Sequence, residues 1–179
     1  MQPQPEPNVL DRFFAGLSEQ VFHGRLGIVD TELVDYISDL LVRFTKTDSL
    51  HRIRQLDGRP ATEVVTLISE AEARVGVARR EVHRHIGDFT LFWSGLYPEA
   101  LQALQGERRG DRLVSYHEEG KRAYALASSI DVDADTRPPA ELLQRLSHDY
   151  DMCVYGLQEV RRIWESDGPT SGSSSQLLI

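Results

Sequence analysis

The 179-residue chain has one cysteine, Cys153, so it can form no internal disulfide. With Tyr150, Val154 and Leu157 around it, that cysteine reads as a small buried hydrophobe rather than a reactive thiol. No apolar run approaches the roughly 20 residues a membrane helix needs, and the opening Met1–Pro7 has no basic region followed by an apolar one. A cytoplasmic protein with no membrane contact is therefore expected. Basic side chains are in the minority, 20 Lys and Arg against 28 Asp and Glu, giving a formal net charge of −8. That balance disfavours an electrostatic grip on nucleic acid or anionic lipid.

Several catalytic signatures are missing as well. There is no Gly-rich loop ending in Lys-Ser/Thr and no Gly-x-Ser-x-Gly elbow, and the lack of a convincing strand pattern removes a dinucleotide fold. A ferritin-like dimetal centre needs Glu-x-x-His on two helices. Here Glu81 to His85 is one residue longer, and His117-Glu118-Glu119 does not continue into a zinc-protease motif. No metal, cofactor or catalytic residue is expected.

What the chain does have is helical periodicity. From Ala61 to Tyr97, apolar residues recur at Val64, Ile68, Ala71, Val75, Ala78, Val82, Phe89, Phe92 and Leu96, with His85 in the same seam. Alternating spacings of four and three predict one long rod with a single buried side. Pro98 ends it, because proline suits the first turn of a new helix but cannot continue an old one. Helices are also expected over 9–22, from a cap at Asp30 or Thr31 to Phe44, briefly to Gln105, over 112–130, and from Ala140 to about Glu165. The expectation is an all-α fold, a single helical bundle of five or six helices built around one long central helix and occupying residues 8–166. Residues 1–7 read as a disordered arm and 167–179 as a flexible tail. The apolar end of that tail, Gln176–Ile179, resembles a docking peptide.

The unusual polar choices cluster late in the rod. Glu81, Arg84 and Asp88 are spaced three and four apart beside the seam, and His85 stands on it. Asp39 and Arg43 repeat the four-residue spacing on the second helix. Gly87 and Gly95 each cost a helix about 1 kcal/mol relative to alanine, which calls for a compensating packing benefit. Two readings follow. In one, Glu81, Arg84, His85, Asp88, Asp39, Arg43, Tyr116 and Tyr124 form a ligand pocket; in the other, they form an internal network that fixes helix register. His148 and Asp151 lie off the last helix's stripe and read as surface neighbours.

The block Arg84-His85-Ile86-Gly87-Asp88 through Leu91-Phe92, Gly95 and Pro98-Glu99 resembles an uncharacterised family of bacterial all-helical proteins. Tyr36 to Phe44 and the later Tyr116, Gly120, Ala123 and Tyr124 carry the same likeness. The resemblance implies a bacterial cytoplasmic setting and no known activity, and it directs attention to Arg84, Gly87, Asp88, Tyr116 and Tyr124. The leading functional expectation is a non-enzymatic protein that works through association with a protein partner or a second copy of itself. The alternative is a metal- or small-ligand-dependent enzyme centred on Asp88.

Overall fold

The computed structural model describes residues 9–45, 53–55, 58, 61–101 and 114–167. Helix α1 (Val9–Ser18) runs directly into a π-helical segment, Glu19–Arg25. It is followed by α2 (Thr31–Phe44), α3 (Val64–Glu72), α4 (Gly76–Leu96), α5 (Tyr116–Ser129), α6 (Ala140–His148) and α7 (Tyr150–Asp167). A further helical turn covers 98–101, and no strand forms among the described residues beyond a lone bridge at Arg54. The all-α bundle around one long helix is the architecture observed: α4 packs against α3, α5 and α7, while α2 lies against α1 and reaches both α4 and α6.

Local chemistry sets the boundaries. The Asp30 carboxylate accepts the Leu33 backbone N–H at 3.1 Å, the side-chain cap expected for α2 and worth about 1 kcal/mol. Ser115 caps α5 in the same way through the Glu118 N–H. Gly27, at φ 67°, adopts the left-handed conformation just after the π-helical segment. The chain then turns into α2.

Two expected rods are broken. The 61–97 segment is two helices, because Ala73–Val75 leave the helix and Gly76 takes φ 55°. The spacing of the seam is nearly preserved across this break, so periodicity alone does not reveal it. The last helix is likewise divided at Asp149, between α6 and α7. The first helix departs more mildly, becoming π-helical after Ser18 rather than staying α-helical to Phe22.

Apolar residues of every described helix join one core, from Phe14 and Phe22 through Ile37, Leu40, Val64, Leu67, Phe89 and Tyr124 to Leu143, Leu146, Leu157 and Val160. Cys153 is fully buried within it, and burial pushes its thiol well above the usual range. Small residues let the backbones approach: Leu157 of α7 lies on Gly95, and Phe22 lies on Gly156. No described helix is long and apolar enough to cross a membrane. The expected arm at 1–7, the docking peptide at 176–179 and the helical continuation to Gln105 past residue 101 lie outside the described residues.

Candidate functional site

Asp88 sits halfway along α4, 1% exposed, with both carboxylate oxygens engaged. Its Oδ1 accepts the Tyr36 hydroxyl at 2.6 Å and the Tyr124 hydroxyl at 2.8 Å. Its Oδ2 accepts Nη1 of Arg43 at 3.0 Å. Tyr36 and Arg43 are two helical turns apart on α2, which places them on one face toward α4, and the Arg43 guanidinium lies 5.4 Å from the centre of the Tyr36 ring. Tyr124 arrives from α5 across Gly87, where its ring occupies the place of a side chain. The glycine that looked costly in the sequence is thus what admits the second phenol.

The electrostatics follow from this packing. Burial alone would raise the Asp88 carboxyl, but Arg43, Arg84 and the two phenols together bring it below the usual carboxylate range. Burial and the adjacent carboxylate push both Tyr36 and Tyr124 upward. At neutral pH the aspartate is ionised and the phenols are protonated. The trio thus joins one charged acceptor to two neutral donors inside the core.

Arg84 stands one turn before Asp88 and donates Nη2 to Glu81 at 2.7 Å. Its buried Nε has no hydrogen-bond partner. Asp88, Tyr36 and Glu81 keep its guanidinium charged in spite of burial. Asp39 supplies its backbone carbonyl to Arg43 Nε at 3.3 Å, while its side chain lies on the exposed side of α2.

Other expected site residues are placed elsewhere. The His85 ring is buried but stacks on Phe44, with centroids 6.0 Å apart, and packs beside Phe89. Tyr116 sets its ring against Phe89. On this face Glu81 bonds Arg84, the His85 ring lies in an aromatic stack, and Asp88 takes Arg43 and two tyrosines. Among the described residues, no group of three or more His, Cys, Asp or Glu is placed to hold a metal ion.

A solvent-open cavity of about 530 Å3 lies beside the network, lined by Tyr36, Asp39, Val42 and Arg43 of α2, Arg84 of α4 and the loop Arg137–Pro139. Glu32 and Asp35 continue its rim along α2. The Arg137–Pro138 peptide bond is cis, and the Pro138 carbonyl accepts Nη2 of the fully buried Arg80. Sequence reasoning missed Tyr36, Arg80 and Arg137 as site residues. The seven-residue step from Tyr36 to Arg43 was the available signal for the first; no pattern separates the buried Arg80 from its half-buried neighbour Arg79.

Comparison with protein-family models, with curated proteins and with solved structures gave no match.

Proposed function

We propose that the protein acts without catalysis, by associating with a protein partner through the charged cleft between α2, α4 and the 137–139 loop. The observation that carries this reading is the pairing of that open cleft with a rigid floor: Arg43 is fixed by Asp88 yet presents its outer side to the cavity. A side chain held in place on the folded protein has less freedom to lose when a partner docks, which favours binding. The enzyme reading draws less support, since both oxygens of Asp88 are engaged inside the core and the single thiol is buried. The setting we infer, the bacterial cytoplasm, rests on the likeness of the Arg84–Glu99 block.

The test is a photo-crosslinking residue at Val42, inside the cleft, compared with one at the exposed Tyr155 of α7, in cells that naturally make the protein. An adduct formed from position 42 and absent from position 155 is expected, its mass showing whether the partner is a different chain or a second copy. No adduct specific to position 42, together with a monomer on sizing, would overturn the proposal.

A further inference from the structure

The cleft is lined by three guanidinium groups, together with the carboxylates of Glu32, Asp35 and Asp39 along α2. Arg43, Arg84 and Arg137 line the cavity, and Arg80 lies one helical turn behind Arg84. Two carboxylates that do not line the cavity lie beside these arginines. Asp88 is saturated by Arg43 and two phenols, and Glu81 is held by Arg84.

Arg80 is the most unusual of the four arginines. It is 0% exposed, its Nη2 bonds the Pro138 carbonyl on the cavity rim, its Nε and Nη1 have no hydrogen-bond partner among the described residues, and the carboxylate charge felt by it is that of Glu81, which is bonded to Arg84. A buried guanidinium without a carboxylate is costly unless another group compensates its charge. The orphaned Nε of Arg84 adds a further unused donor on the same helix face. Arg137 is exposed, and its described bond is a 3.3 Å contact to the Ala134 carbonyl. Its planar fork is therefore available to turn toward an incoming group, the geometry that suits carboxylate and phosphate.

We propose that the cleft binds an oxyanion, a carboxylate or phosphate group, between Arg84 and Arg137, with Arg43 on its floor and the charge of Arg80 behind it. This deepens the association reading by naming the group the partner would present. The acidic residues of α2 limit what can enter. Asp35 and Asp39 stand exposed along α2, while Glu32 is held by Arg145. A ligand with one anionic end is accommodated, whereas an extended polyanion meets like charge on the α2 side.

The experiment follows arginine Nε–Hε resonances of the full chain by NMR while sodium glutarate or inorganic phosphate is titrated at ionic strength held constant with sodium chloride. Saturable shifts of Arg43, Arg84 and Arg137 are expected with at least one anion. The responding anion tells carboxylate from phosphate recognition. Arg137→Gln, an exposed substitution that spares the fold, should weaken binding tenfold or more, while Arg122→Gln on the surface of α5 should leave it unchanged. Absence of saturable shifts with both anions, or equal affinity in the Arg137→Gln protein, would overturn the inference. A crosslink from Val42 without any anion response would sink the oxyanion site yet leave association standing; anion binding without a crosslinked protein would do the reverse.

Discussion

The ring of Tyr124 lies so close on the backbone of Gly87 that a Cβ there would come within 2.6 Å of a ring carbon. The ring cannot slide away freely, because its hydroxyl is bonded to Asp88 at 2.8 Å. Gly87→Ala is therefore expected to destabilise the protein by about 1–3 kcal/mol, the usual cost of overpacking a tight core. That is the opposite sign from the gain of about 1 kcal/mol that alanine ordinarily brings to a helix interior. Gly16→Ala in α1, where nothing stands within 4 Å of the added carbon, should show that ordinary gain. Urea unfolding of the two variants checks both signs, and a stabilised Gly87→Ala protein would mean the contact is loose.

Replacing Asp88 by asparagine keeps an oxygen for the two phenols but leaves Arg43 with no carboxylate at 3.0 Å and turns an amide N–H toward its guanidinium. Asp88→Asn should cost about 3–5 kcal/mol, as expected when one member of a buried charge pair is lost. Tyr36→Phe should cost about 1.5–3 kcal/mol, the range for a hydrogen bond to a charged group. The pH dependence has a definite sign. The folded-state carboxyl lies below its ordinary value of 3.8, so the stabilisation is complete above that value and fades as the pH falls through the lower folded one. The stability gap between wild type and Asp88→Asn should accordingly be constant from pH 7 to about 5 and narrow below about 4. A gap that stays constant down to pH 2 would mean that Asp88 is not the titrating group.

How far these features were legible in the sequence depended on their range. The Asp30 cap and most of the apolar seams were readable because helix periodicity and capping act within a few residues, but Val75 and Ala78, expected in the buried seam, are exposed at the break beside Gly76. Asp88, Arg43 and Tyr124 were also legible as candidates, since a carboxylate, a cation and a phenol near buried stripes need partners. Their actual pairing was not, because Tyr36 and Asp88 are 52 residues apart and meet only when α2 docks on α4. The burial of His85 on the seam was legible, whereas its stack on Phe44 of α2 was not, for the same reason. The cleft was not legible, because its walls come from α2, α4 and the Arg137–Pro139 loop, which meet only in the folded chain.

The break at Gly76 gives a prediction that separates backbone strain from packing. Gly76 has φ 55°, and an added Cβ would meet nothing within 4 Å, so any penalty there is conformational. Gly76→Ala should cost about 1–2 kcal/mol, the price of holding an L-residue in the left-handed region. If α3 and α4 were instead joined as one continuous rod, the same substitution would stabilise. The direction of the shift in thermal midpoint decides between a broken and a continuous spine.

His83 supplies a second pH effect, in a range where carboxylates are quiet. It is 5% exposed, and its Nε2 has no hydrogen-bond partner. Burial first, then the nearby Arg79 and Arg122 cations, lower its affinity for a proton from an ordinary value of 6.5. The unfolded chain therefore takes up the proton before the folded one does. Above pH 6.5 the imidazole is neutral in both states and contributes no pH dependence. As the pH falls below that value, folding loses stability until the folded pKa is passed, with a slope of at most about 1.4 kcal/mol per pH unit. His83→Leu cannot take up that proton, so its stability should fall less steeply than that of wild type between about pH 6.5 and 5. Urea midpoints measured every half unit across that window test the difference, which cancels contributions common to both proteins. Parallel curves would show that His83 is protonated as readily in the folded protein as in the unfolded chain.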